Sequence, residues 1–194
     1  MPAAPTRRGE VTRRRLLEAA TAEFTERGIA GARVDRIVAT ARSNKAQLYQ
    51  YFGSKERLFD EVFSVHIDSL TAEVRLDGDD LPGYAVALYD ISLQRPELVR
   101  LAAWMRLERN PYGDLLPGDP DAGRIAAIAA AQAAGRVDAA IDPADILSML
   151  TAMALSWSPA SLQIAASVDD AADIHDRRRA ALATAVRQAF AGSR

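Results

Sequence analysis

The sequence predicts an all-α protein of about nine helices, and three observations carry that expectation. Apolar residues recur at i, i+3, i+4 spacing over most of the chain, while no alternating apolar–polar run is long enough for a strand. Alanine dominates the hydrophobic residues, and β-branched runs are scarce, which favours helix. Gly, Pro and helix-capping residues punctuate the chain at helix-length intervals.

The first helix is expected from about Glu10 to Arg27, with Val11, Leu16, Leu17, Ala20 and Phe24 as its apolar stripe and Gly28 where it stops. A second, about Val34 to Ala41, places Val34, Ile37, Val38 and Ala41 on one face. A third follows almost at once, capped by Asn44, with Leu48 and Phe52 four apart on its buried side. Gly53 ends it. Ser54 caps a long fourth helix, with Glu56 in its favourable first turn and Leu58, Phe59, Val62, Phe63, His66, Ile67 and Leu70 as its stripe. Asp77-Gly-Asp-Asp reads as a turn, and Pro82 lies near the first position of helix five, which ends near Gln94. Pro96 opens helix six, to about Arg109. Asn110 to Pro120, with three prolines and two glycines, is a loop. Helix seven covers about Asp121 to Ala134 and stops at Gly135. Asp142-Pro143 starts helix eight, to about Trp157. Ser158 to Ser167 is ambiguous, with a short helix as one reading. Helix nine runs from about Asp170 to Ala191.

With 194 residues the chain can build one sizeable domain or two small ones sharing a core. The absence of cysteine excludes disulfides, thiolate metal sites and a cysteine nucleophile. Residues Met1 to Glu10 have no apolar h-region, and no stretch approaches ~18 uninterrupted apolar residues. The expectation is a cytoplasmic protein with no membrane contact. The net charge of −2 hides an asymmetry: residues 1–60 hold twelve Arg/Lys and seven Asp/Glu, net +5, whereas residues 61–194 hold twelve and nineteen, net −7. A basic head on an acidic body points to a polyanion partner for the head alone, with a solvated basic surface as the plain alternative.

Two short helices joined by about three residues and braced by a longer first helix read as a helix-turn-helix. The stretch Ala41-Arg-Ser-Asn-Lys-Ala-Gln-Leu-Tyr-Gln-Tyr-Phe-Gly-Ser-Lys-Glu-Arg-Leu-Phe59 closely resembles the signature of the TetR (tetracycline-repressor) family. Leu48, Tyr49, Tyr51, Phe52, Gly53, Ser54, Lys55 and Leu58 match it, Ile37 to Ala41 fit the family's second helix, and the likeness covers about residues 8–60. Two departures stand out. Arg42-Ser43 occupies a turn that often holds Gly-Val in the family, so either Arg42 takes a left-handed conformation at a cost on the order of 1 kcal/mol or the turn is built differently. Arg33-Val34 stands where the family usually has a small residue and Thr.

The resemblance implies a flexible basic arm over residues 1–9, a DNA-binding head over 10–54, and a ligand-binding and dimerisation body over 55–194. On a helical wheel Ala46, Gln47 and Gln50 lie opposite Leu48 and Phe52, with Lys45, Tyr49 and Tyr51 at the flanks and Asn44 leading in. Gln47 and Gln50 suit adenine edges, Lys45 guanine acceptors and Ala46 a thymine methyl. Tyr49 and Tyr51 suit phosphate, Tyr51 having packing against helix one or four as its alternative. Lys55 and Arg33, at helix N-termini, suit phosphates, the alternative being a solvated charge. Thr6, Arg7 and Arg8 form an arm that either reaches the minor groove or is idle.

For the body the resemblance places the dimer face on helices eight and nine. Ile146, Leu150 and Met153, then Ile174, Leu182, Val186 and Phe190, are its candidate residues, with small alanines allowing close approach; the alternative is that these stripes face their own core. A ligand pocket is expected between helices four to eight, lined by Phe63, His66, Tyr84, Leu88, Trp104, Met105, Glu108, Met149 and Trp157, each of which also reads as plain core. That set suits a small, largely apolar or aromatic ligand. The implied mechanism is a homodimer reading a palindromic operator in double-stranded DNA, released when ligand tilts helix four. No cofactor, metal or catalytic residue is implied. His66 and His175 sit in no motif, no phosphate-binding Gly loop or nucleophile elbow exists, and Leu88 stands where a calcium loop opening at Asp77 would need its last Glu. The competing classes are an enzyme, which turnover would reveal, and a DNA-binding protein that senses no small molecule.

Overall fold

The computed structural model describes residues 7–113, 115 and 121–192. Among them are nine α-helices: α1 (Arg7–Gly31), α2 (Val34–Thr40), α3 (Lys45–Phe52), α4 (Lys55–Glu73), α5 (Leu81–Gln94), α6 (Pro96–Glu108), α7 (Ala122–Ala133), α8 (Pro143–Ala154) and α9 (Ala172–Phe190). The only strand-like feature among the described residues is an isolated bridge between Val137 and Ala191. No helix among them is long and apolar enough to cross a membrane.

Most helix ends follow the local chemistry of the sequence. The Asn44 side chain accepts from the Gln47 N–H at 2.9 Å, Ser54 Oγ from Arg57, Asp80 from Gly83 and Asp142 from Ala144. Two ends differ from expectation. Arg7 and Arg8 lie in the first turn of α1 rather than in a free arm, while Thr6 falls outside the described residues. Helical geometry resumes after Gly28, whose φ of 68° and ψ of −175° break α1 and leave one further turn to Gly31. Ser158 to Ser167 contains no helix; its backbone runs through bends and turns without regular structure. Val11 is exposed, so the buried stripe of α1 starts at Leu16 and continues through Ala20 and Phe24.

By packing, the described chain divides into two units. The first comprises residues up to Ser69 with Arg100–Leu115; the second comprises Leu70–Val99 with the chain after Leu115. The division falls inside α4 and α6 rather than at residue 54, because the first half of α4 belongs to the head's core. Phe24 meets Phe59 edge-on at 5.1 Å, and Phe59 stacks on Phe63 at 6.2 Å. Leu16, Ile37, Leu48 and Leu58 are fully buried around them. From the other side Arg109 ion-pairs with Asp60 and bonds the Glu56 carbonyl.

In the second unit α5 packs against α8 and α9, and α7 against α8. The core holds Tyr84, Leu88, Tyr89, Ile128, Ile146, Leu150, Leu182, Val186 and Phe190. Five of the seven candidate dimer residues are therefore spent here. Ile146, Leu150, Leu182, Val186 and Phe190 are buried within their own chain, and Met153 and Ile174 are half-buried. The apolar stripes of α8 and α9 face each other and α5, because that contact buries them without a partner. Met149 of α8 and the alanines Ala181, Ala185 and Ala189 of α9 are among the apolar residues that these two helices leave exposed. A polar cluster closes the unit: Tyr89 Oη and His175 Nδ1 lie 2.7 Å apart, Arg179 pairs with Asp90 at 2.8 Å, and buried Arg178 pairs with Asp170 at 2.6 Å while lying over the Trp157 ring. The Arg178 hydrogen bond holds the Asp170 carboxyl below its usual range and ties the irregular segment before α9 to that helix.

Candidate DNA interface

The helix-turn-helix is built from α2, the turn Ala41–Asn44 and α3. The turn is a Schellman closure: the Ser43 N–H reaches the Val38 carbonyl at 2.9 Å and the Arg42 N–H reaches Ala39 at 3.1 Å. Arg42 sits at the left-handed position with φ of 50°, the only positive-φ residue other than glycine among those described. Of the two turns open to the sequence, this is the strained one, at a cost on the order of 1 kcal/mol. A side chain of α1 braces it: Arg15 Nε donates to the Ala41 carbonyl and Nη2 to the Arg42 carbonyl, each at 3.1 Å.

The start of α2 is held by Glu23. Its carboxylate accepts from the Arg33 backbone N–H at 2.9 Å and from Arg36 Nε at 2.8 Å, and it ion-pairs with the second guanidinium nitrogen of Arg36. Burial pushes the Glu23 carboxyl up, but the Arg36 and Arg33 hydrogen bonds and the charges of Arg36 and Arg27 outweigh it and hold it below its ordinary value. Gly28 is closed over by the end of α6. Glu108 Oε2 accepts from the N–H groups of both Ile29 and Ala30 at 2.8 Å, and Trp104 Nε1 points to the Thr25 carbonyl at 3.4 Å.

On α3 the wheel is realised. Leu48 and Phe52 are buried; Ala46, Tyr49 and Gln50 are exposed; Gln47 and Tyr51 are half-buried. The Gln47 carboxamide is oriented, since its Oε1 accepts from Ser43 Oγ at 2.7 Å; one lone pair and both N–H donors stay available. Lys45 pairs with Asp35 of α2 at 2.8 Å, which raises its pKa. The Asn44 side chain is engaged as the cap. Tyr51 leans on Phe52 with ring centroids 6.1 Å apart. Lys55 Nζ donates to the Ala32 carbonyl at 3.3 Å, bringing its charge beside the start of α2, where Arg33 is exposed. The nine candidates thus lie on α3 and on the two helix starts that flank it. Sequence reasoning missed Arg15, Glu23 and Arg36, whose partners lie 10 to 27 residues away and leave no local signal.

The candidate ligand residues fall into two groups, one in each unit. Phe63 and Met105 are buried; Trp104 and Glu108 are engaged at the end of α1. His66 Nε2 lies 3.4 Å from Thr21 Oγ1, a hydroxyl that already donates to the Leu17 carbonyl and so accepts from the imidazole. In the second unit Leu88 is buried, Tyr84 Oη accepts from Arg124 at 3.3 Å, Trp157 meets Tyr89 edge-on, and Met149 is exposed. The Asp77–Asp80 turn is used structurally, Asp77 and Asp80 as backbone caps and Asp79 in an ion pair with Arg136.

A basic helix-turn-helix whose recognition helix presents amides, a cation and phenols defines a DNA-binding head. Residues 16–62 match the family described as bacterial regulatory proteins, tetR family, and residues 80–188 match the tetracyclin repressor-like C-terminal domain. The chain belongs to the TetR family and is a DNA-binding transcriptional regulator, not an enzyme. It is 41% identical over 155 residues to the HTH-type transcriptional repressor SCO4008 of Streptomyces coelicolor, covering 77% of this chain and 79% of that one. The match to the HTH-type transcriptional repressor NicS of Pseudomonas putida is 35% identical and spans 50% of each chain. Among solved structures, the putative transcriptional regulator SCO4942 of Streptomyces coelicolor superposes with a TM-score of 0.77 at 40% identity, covering 92% of this chain and 98% of that one.

Proposed function

We propose that this regulator is a repressor that acts in the cytoplasm, binds a palindromic operator as a homodimer and is released by a small, largely apolar or aromatic ligand. The observation that carries the reading is the recognition helix: capped by Asn44, braced through Arg15, and presenting Ala46, Tyr49, Gln50 and an oriented Gln47 to solvent. Gln47 and Gln50 read bases; Tyr49, Tyr51, Lys55 and Arg33 hold phosphates; Lys45 joins them by exchanging Asp35 for DNA. Two relatives are named repressors, which supports the sign of the regulation. One head makes few base contacts, so a twofold pair reading two half-sites fits the small contact set. The exposed alanines of α9, with Met149 of α8, supply a face on which helices can approach closely.

For the ligand, Phe63, His66, Tyr84, Leu88, Met105 and Met149 stay as candidates. Trp104, Glu108 and Trp157 carry structural contacts that a ligand would have to share or displace. That engagement favours a second reading, in which the body answers to a protein partner.

The test is an electrophoretic mobility shift on the DNA flanking this protein's own gene. Gln47→Ala is expected to cost about 1–3 kcal/mol per head and relax specificity at one base pair; Lys55→Ala weakens binding to all sequences. Specific binding that survives both substitutions would refute the assigned register. A small molecule that raises the melting temperature yet leaves the shift unchanged would favour the second reading.

A further inference from the structure

The head's positive charge is mostly spent internally. Arg13 pairs with Glu61, Arg14 with Glu18, Arg27 with Glu23 and Glu26, Arg36 with Glu23 and Lys45 with Asp35, while Arg15 is used on the turn carbonyls. Arg42 is different. Its side chain is exposed and has no ion pair or side-chain hydrogen bond among the described residues. It also occupies the left-handed position of the turn, where glycine would sit without strain. The chain therefore keeps a long cation at a site whose backbone favours glycine, and holds that site with two hydrogen bonds from Arg15. Strain retained at one braced position, with its side chain left free, points to a use for the side chain.

We propose that Arg42 is a phosphate ligand of the DNA interface, a guanidinium delivered by the strained turn to the backbone that borders the groove read by α3. In a helix-turn-helix the leading residues of the recognition helix meet base edges. A cation three residues ahead of Lys45 thus lies beyond the bases, where phosphates run. Phosphate contacts fix register and orientation but carry no base preference. Arg42 is accordingly an affinity-determining residue, and Gln47 and Gln50 keep the specificity. The inference rests on the DNA-binding head but not on the palindrome, the dimer or the ligand.

The test uses the full-length chain, a duplex enriched by the wild-type protein from a random-sequence library, and an unrelated duplex of equal length. Arg42→Gly relieves the turn and removes the charge, so it should melt higher than wild type yet bind both duplexes about tenfold more weakly. Its log–log salt dependence should be shallower by about 0.9 for each bound protomer. Arg42→Lys keeps the charge and should hold the wild-type slope. Wild-type affinity in Arg42→Gly, or weaker binding with an unchanged salt slope, would overturn the proposal; so would an Arg42→Gly protein that melts lower. Failure of the library to yield any enriched duplex would count against the operator reading alone, because the unrelated duplex still reports on Arg42.

Discussion

Gly28→Ala tests the account of how α1 ends. At φ 68° and ψ −175° the backbone lies where an L side chain is strained by about 1–3 kcal/mol. The added Cβ would stand 2.6 Å from Glu108 Oε1 and 2.9 Å from two ring carbons of Trp104. Glu108 must then withdraw, and its carboxylate loses the Ile29 and Ala30 N–H groups. Bonds to a charged acceptor contribute about 1.5–3 kcal/mol each when buried; Glu108 is exposed, so the lower end applies to the pair together. The sum is a loss of about 2.5–4.5 kcal/mol, confined at first to the unit that holds α1. The chain has two tryptophans, Trp104 in the first unit and Trp157 in the second. Urea unfolding followed by fluorescence in a Trp157→Phe background therefore reports on the right place. In a Glu108→Ala background the same glycine substitution should cost less, because part of its clash is gone. A loss under about 1 kcal/mol, or an equal loss in both backgrounds, would refute the clasp.

Glu23→Gln should destabilise by about 1.5–3 kcal/mol near neutrality through its weaker bonds to Arg36 and Arg33. Because the folded carboxyl is held below its ordinary value of 4.5, its contribution is complete above that pH and fades as pH falls through the folded value. The stability gap to Gln should narrow on acidification; a gap that stays constant down to about pH 3.5 would contradict the assignment. Leu150→Ala, at a fully buried site of α8, should cost about 2–5 kcal/mol by denaturation. If α9 carries the proposed dimer face, Ala185→Glu, at an exposed position of that helix, should leave the chain folded but shift sedimentation toward monomer; unchanged sedimentation would refute that face.

Much of the fold was readable because its signals are local. Caps at Asn44 and Ser54, the starts at Pro82, Pro96 and Asp142-Pro143 and the stops at Gly53 and Gly135 act within one turn of chain, so residue type and spacing specify them. The buried side of α3 follows from Leu48 and Phe52 alone, which settles which residues face outward. Val11 misled because a periodic position near a helix start has nothing to pack on. The break at Gly28 was visible, yet the clasp by Trp104 and Glu108 was not, since their partners lie 78 and 79 residues away.

The helices, most of their ends, the charge asymmetry and the outward face of α3 follow from residue order alone, because interactions within a few residues set them. Long-range packing is what puts Arg42 in the left-handed turn with Arg15 as its brace, anchors α2 on Glu23, and turns the stripes of α8 and α9 into their own core. An amphipathic pattern states that one face must be buried but not against what; the answer depends on contacts between residues that are distant in the chain and adjacent only once it has folded.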